Sequence, residues 1–196
     1  MLEPLPSESE LLERCAKGDA GAFGKLVSHY ENAIFNVVFR MIGHREDARD
    51  VTQEVFVKAF QKIRSFEGRS SFATWLYSIA VNRSLSERRR LAARSHRSEV
   101  QMSALDNNEA DSPYDPQGDG PAPDARLSSD ETRRQIEQAV AGLDDDHRAV
   151  VVLRDIEGLD YASIGKVVGC SKGTVRSRLH RARVELREKL RPLLAQ

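Results

Sequence analysis

Residues 171–183 read SKGTVRSRLHRAR. On a helix, Arg176, His180, Arg183 and Arg187 fall on one side with Ser177, Arg178 and Arg181 beside them, while Val175, Leu179, Ala182, Leu186 and Leu190 line another at steps of three or four. Guanidinium groups on the outside of such a rod bind guanine edges bidentately, and a serine hydroxyl serves either base. Further cations, Lys172 among them, meet phosphates, which position without specifying. A solvated helix face carries the same charges. The context favours the first reading. A short helical pattern, DYASIGKVVG at 160–169, precedes the basic one, and Gly169 supplies the positive φ of a tight turn. Ser171 then caps the basic helix. Short helix, glycine turn and basic helix make a helix-turn-helix, whose second helix enters the major groove of duplex DNA.

A second constellation lies upstream. FEGRSSFATWLYSIAVNR, residues 66–83, sets Phe66, Phe72, Trp75 and Tyr77 among Arg64, Arg69, Arg83 and the run Arg88–Arg90. Aromatics between cations suit stacking on unpaired bases beside a backbone. Spacing alone assigns Phe72, Leu76 and Ile79 to a core and leaves Trp75 open between core and exposed platform. Phe66, in a glycine-containing loop, is the better base contact.

Bond-making chemistry finds no support. GDAGAFGKL, residues 18–26, hints at a phosphate loop, but its glycine spacing is wrong and Leu26 stands where Ser or Thr would hold magnesium. His29, His44, His96, His147 and His180 make no metal-spaced set with cysteine or carboxylate. No nucleophile has a base beside it. No catalytic residue, metal or cofactor is therefore expected. Cys15 and Cys170 fit no disulfide framework; they read as buried structural thiols in a reducing compartment.

The elements that must position these residues are helices. Ser9 is a candidate cap before Leu11, Leu12 and Cys15; Gly18-Asp19 breaks that helix and caps the next, which carries Phe23, Leu26, Val27 and Tyr30. Ile34, Val37, Val38, Met41 and Ile42 continue to Gly43. A helix from about 45 to 64 has Ala48, Val51, Val55, Ala59 and Ile63 on one face, and another follows the FEGRS loop. Asp144 and Asp160 cap helices beyond residue 130, and Gly158 ends one. No stretch alternates long enough for a strand. The fold class expected is all-α: two small helical domains, 1–92 and 130–196, joined by a flexible linker at 93–129. That linker contains DNNEADSPYDPQGDGPAPDA, too poor in apolar residues to offset its ordering entropy.

The 196 residues carry 30 Lys plus Arg and 30 Asp plus Glu. This balance hides an acidic middle and a basic end, an asymmetry that points to nucleic acid. The amino terminus, MLEPLPSESE, lacks the apolar run of a signal peptide. No stretch approaches the roughly 18 apolar residues of a membrane span. A soluble, cytoplasmic protein is expected.

DARDVTQEVFVKAF, the aromatic–arginine stretch and GTVRSRLHRAR occur in that order, with the polar linker between the second and third. In this the chain resembles bacterial RNA polymerase sigma factors of the small, extracytoplasmic-function (ECF, group IV) type. The resemblance covers nearly everything but the extreme amino terminus and the linker. It implies that the first domain is sigma region 2, with Asp47, Asp50, Gln53 and Glu54 docking on the clamp helices of the polymerase's largest subunit. It implies that Lys58, Phe66, Ser71, Trp75 and Asn82 open the −10 element and hold the melted non-template strand. The second domain resembles region 4, where Lys172, Arg176, Ser177, His180 and Arg181 match the surface that reads the −35 duplex. The implied partners are core RNA polymerase, through its clamp helices and flap region, promoter DNA in duplex and single-stranded form, and an anti-sigma factor of the kind that holds many relatives. Two DNA sites two turns apart lie roughly 70 Å from each other, whereas a relaxed coil of about 35 residues spans only about 30 Å. Simultaneous contact with both elements therefore needs polymerase to hold the chain extended. Departures from the family pattern fall at Ser163-Ile164-Gly165, where Glu-Ile-Ala is common, and at Asp144, where proline is common. A stand-alone dimeric regulator carries the same helix-turn-helix but binds duplex without polymerase.

Overall fold

A computed structural model describes residues 8–102 and 123–194. Among the described residues every regular element is helical. The order is α1 (Glu8–Ala16), α2 (Ala20–Ile42), α3 (Arg45–Lys62), a 3₁₀ turn at Ile63–Ser65, α4 (Phe72–Met102), α5 (Pro123–Ala141), α6 (Asp145–Val151), a π-helical turn at Val152–Ile156 that prolongs α6, α7 (Tyr161–Val168), α8 (Lys172–Lys189) and α9 (Arg191–Leu194). α4 and α5 both enter the 93–129 stretch read as linker; residues 103–122 lie outside the described residues. Among the described residues no helix is long and apolar enough to cross a membrane.

The chain breaks fall where short polar residues and glycines dictate. Asp19 accepts from the Ala22 N–H at 3.0 Å and opens α2. Gly43 ends α2 in the left-handed region, at φ 88°. His44 then caps α3, its Nδ1 accepting from the Asp47 N–H. Ser9 does not cap α1 as expected: the helix begins at Glu8, so Ser9 sits inside the first turn. A hydrophobic stripe locates a helix face but not its first residue.

α2, α3 and α4 form the first core. Ile34, Val37, Val38 and Met41 meet Ala48, Val55 and Ala59 of α3 and Phe72, Leu76 and Ala80 of α4, and α1 lies along α2 with Leu11 and Cys15 buried. Cys15 is a packed thiol whose titration is pushed up by burial. In the second half Val150, Val151, Val152 and Leu153 pack with Ile164, Val167, Val175, Leu179 and Ala182. The two halves share one continuous cluster, through contacts of α7 with α4 and of α5 and α6 with α2.

Asp160 caps α7. Its carboxylate accepts from the Ala162 and Ser163 N–H groups, at 2.7 and 2.9 Å. Those hydrogen bonds, the Ser163 amide first, hold the carboxyl below its ordinary value. Its contribution is therefore complete above the unfolded aspartate value near 4 and fades as pH falls through the lowered folded value. Asp160→Ala should cost about 1 kcal/mol at neutral pH. Asp160→Asn should keep most of the cap while removing that acid-side loss. Urea unfolding of the three proteins between pH 3 and 7 measures both effects.

Candidate nucleic-acid interface

α7 and α8 meet across a tight turn. Gly169 takes φ 69° and its N–H reaches the Gly165 carbonyl. Ser171 opens α8 by accepting from the Thr174 N–H at 3.1 Å. Gly165 is part of the same joint: a Cβ there would stand 2.7 Å from the Cys170 carbonyl oxygen. The close approach at Gly165 is thus to the backbone of the turn itself. Val175, Leu179 and Ala182 bury the inner face of α8, and Leu186 completes it at half burial.

The outward face divides into two groups. Lys172, Arg176, Ser177, His180 and Arg181 are all exposed. Arg176 and Arg181 make no ion pair among the described residues. Arg178, by contrast, lies against Asp146 of α6 at 2.5 Å, and Arg183 lies against Asp155 at 2.5 Å. Asp155 holds the Arg183 guanidinium more firmly protonated still, first through the hydrogen bond. The second pair of cations braces α8 on its own scaffold; the first pair stands exposed. The sequence pattern grouped all of them together.

The upstream constellation is an aromatic cluster at the start of α4. Phe66 is half-buried, with its ring 5.8 Å from Phe72 and 5.3 Å from Trp75. Phe72 is fully buried and also meets Tyr30 edge-on. Trp75 keeps one side accessible. Ser71 is exposed, yet its hydroxyl accepts from the Thr74 N–H at 3.2 Å and so starts α4. It thereby fixes the angle at which the loop leaves the helix. Asn82 lies exposed further along α4, and Lys58 lies exposed on α3.

Asp50, Gln53 and Glu54 line one open groove between α3 and α4, together with Lys58, Gln61, Lys62 and Arg83. Glu54 pairs with Arg83 across it. Asp47 stands apart, at the start of α3, 3.3 Å from His44. Val57, which the sequence reading did not single out, also lines this groove and is 58 % exposed, an apolar side chain among charges. The available signal was an apolar side chain off the Val51–Val55–Ala59 face. Among the described residues no cluster of His, Cys, Asp and Glu is arranged to hold a metal ion.

Comparison with known proteins follows this division of the chain. Residues 26–94 match the family described as Sigma-70 region 2, and residues 133–186 match Sigma-70, region 4. An RNA polymerase sigma-H factor of Pseudomonas aeruginosa is 36 % identical over 190 residues, which is 95 % of each chain. An ECF RNA polymerase sigma-E factor of Haemophilus influenzae is 35 % identical over 194 residues, 99 % of this chain and 100 % of its own. Among solved structures, CnrH in complex with the cytosolic domain of CnrY shares the fold at a TM-score of 0.66 and 23 % identity, over 95 % of this chain and 99 % of its own. The sigma factor RpoE in complex with the anti-sigma factor NepR, from Bartonella quintana, aligns at 0.64 and 25 %, over 86 % of this chain and 96 % of its own.

Proposed function

The chain belongs to the ECF sigma factors, which direct transcription initiation with RNA polymerase, and from that premise we propose how its surfaces divide the work. α8 reads the −35 duplex through Arg176, Ser177, His180 and Arg181, with Lys172 on phosphate. The Phe66 loop, Trp75, Asn82 and Lys58 hold the opened −10 strand, and Ser71 sets the loop's angle. The groove of Asp50, Gln53, Glu54 and Val57, with Asp47 at its end, docks on the clamp helices of core polymerase. The observation that carries this reading is the outward, unpaired placement of Arg176 and Arg181 on the helix whose neighbours are tied to acids.

The mechanism is binding and strand capture in the cytoplasm, without catalytic residues. Phosphate contacts from α8 fix the register, so promoter binding weakens with salt. Stacking on the aromatic cluster offsets the cost of unstacking the opened bases. The solved pairing of RpoE with NepR supports an anti-sigma partner for this chain as well.

Run-off transcription with purified core polymerase tests the assignment. Addition of this chain should yield transcripts from promoters that core enzyme alone does not use. A chain that shifts duplex DNA tightly without polymerase, and never programs core enzyme, refutes it. Val57→Asp should weaken core binding about tenfold, from lost burial of an apolar side chain and a buried charge. Its helical circular dichroism should stay unchanged, because Val57 touches no core. Fluorescence anisotropy of the labelled chain against core enzyme gives the number.

A further inference from the structure

The corner where the α5–α6 turn meets the last turns of α8 is crowded with acids. Asp144, Asp145 and Asp146 follow one another at the start of α6, and Glu185 of α8 stands opposite, across His147. Carboxylates this close repel one another unless cations lie between them. Three of the four have a permanent one. Asp145 lies 2.6 Å from the Arg88 Nε and 3.9 Å from Arg148. Asp146 holds Arg178 at 2.5 Å, and Glu185 holds Lys189 at 3.4 Å. Asp144 has none: among the described residues the basic side chain within ion-pair distance of it is His147.

His147 is fixed in that place by its own backbone. Its N–H donates to Asp144 Oδ1 at 2.8 Å, which caps α6 and sets the ring beside the cap. The ring Nδ1 is shielded from solvent and completes no hydrogen bond, yet it stands 2.8 Å from Asp144 Oδ2 and 3.8 Å from Glu185 Oε2. A bare nitrogen lone pair facing two carboxylates is repelled by both, so Nδ1 carries the proton of the neutral ring. The side chain keeps 17 % of its surface accessible, which leaves the ring open to proton exchange with water. Neutral, it offers the two acids one weak dipole. Protonated, it puts a full charge between them.

The same corner is tied to α8 by a second route. Lys189 Nζ donates to the Gly142 carbonyl, in the turn, at 2.9 Å. A Cβ on Gly142 would stand 2.7 Å from that Nζ, so the lysine lies directly over the turn. Glu185 divides its carboxylate between Lys189, through Oε1, and His147, through Oε2. Gly142, Lys189, Glu185, His147 and Asp144 thus close a ring of contacts with one conditional charge in it. α2 and α7 also touch α6, but among the described residues neither brings an acid within ion-pair distance of His147. α8 has two other braces, Arg178–Asp146 and Arg183–Asp155. Both use a guanidinium, which keeps its charge throughout the physiological range. Of the three, only the His147 brace contains a side chain of the type that titrates between about pH 5 and 8.

We infer that His147 is a positioning residue for −35 reading: its cationic form clamps the α5–α6 turn to Glu185 and steadies the seat of α8, so that the chain grips the upstream element more tightly on the acid side of neutrality. The gain falls on that side because the charge that satisfies Asp144 and Glu185 exists only there. His180 is a second histidine on α8, but it is exposed on the reading face, so its charge bears on DNA directly and not on the seat.

NMR of the nitrogen-labelled full-length chain, from about pH 5.5 to 8, follows the seat without DNA. In the wild type the amides of Gly142, Glu185 and Lys189 should shift together with the His147 ring. Hydrogen-exchange protection of the last two turns of α8, corrected for intrinsic exchange, should fall about threefold as pH rises, the size expected of a partly exposed ion pair. His147→Gln should hold these signals flat at their high-pH level. Asp144→Asn keeps a cap on α6 but removes the acid, and should flatten most of the response. Amides that stay still while the ring titrates overturn the proposal, as does an undiminished response in either variant. The promoter consequence rests on the −35 reading. The ratio of wild-type to His147→Gln affinity for the upstream element, measured in holoenzyme, should fall about threefold between pH 6 and 8; taking the ratio cancels His180 and the titrations of polymerase itself. A flat ratio while Arg176→Ala still relaxes base choice overturns the proposal. A flat ratio with Arg176→Ala also silent refutes the −35 reading instead, and the NMR then decides the brace by itself.

Discussion

Arg148→Met should lower the unfolding free energy by about 4 kcal/mol, a larger loss than any other single change in the second half. The guanidinium is almost completely enclosed and serves four carbonyls at once. Two of them, on Val140 and Ala141, end α5, where a helix leaves carbonyls without intrahelical partners, and a third, on Leu143, lies in the turn just beyond. Methionine fills much the same volume, so the loss is not a cavity effect. It arises because buried carbonyls lose their donors, each worth about 1–3 kcal/mol, and because Asp145 loses one of two cations. Met41 keeps Arg88, which limits the total. Arg148→Lys should recover only a small part. An ammonium is a compact donor on a flexible stem and does not span carbonyls spread over two helix ends as a planar fork does. Thermal unfolding followed at 222 nm should show a fall of roughly 10 °C for methionine and nearly as much for lysine. A fall of only one or two degrees would mean that the carbonyls find other donors and that the guanidinium is a passenger.

The importance of Arg148 is invisible along the sequence, and the reason is general. Helix boundaries depend on neighbours: Asp19, Gly43, Asp144, Asp160, Gly169 and Ser171 all act on amides or carbonyls a few residues away, and each was legible from residue type and position. His44 caps α3 without having been read as a cap, because histidine seldom takes that role and nothing else marked it. Arg148 acts on a carbonyl 107 residues away. Its position between Asp145 and Val150 looks like the polar side of a short helix. Likewise the composition of the candidate site was readable, but its division was not. Arg176 and Arg178 differ by two positions and have the same chemistry; only the packing of α6 beside α8 decides that one meets Asp146 and the other meets solvent. The outline of two helical units followed from periodicity. The contact between them depends on Tyr77 and Glu157 or Lys166 and Arg69 finding each other across 80 or 97 residues, which no local pattern encodes.

That division of the cations leads to the second large effect. In holoenzyme, Arg176→Ala should weaken binding to the preferred upstream element by about 1–3 kcal/mol, roughly 5- to 150-fold, and relax the base choice at one position. Arg176 lies in the second turn of α8, on the part of a recognition helix that meets base edges, and no carboxylate competes for it among the described residues. Arg183→Ala should behave differently. Arg183 already has Asp155 as its partner, so its removal should leave base preference intact and slightly loosen the seat of α8. The same distinction sets the salt dependence. If every cation from Lys172 to Arg187 met a phosphate, each would add nearly one unit to the slope of log affinity against log salt. With Arg178 and Arg183 held by Asp146 and Asp155, the slope should be shallower by about two units than that count implies. A randomised upstream element, transcribed at several salt concentrations with the wild type and both variants, reads all three quantities together. Unchanged base choice with Arg176→Ala would remove that residue from the reading surface, and relaxed choice with Arg183→Ala would mean that the Asp155 pair opens on DNA.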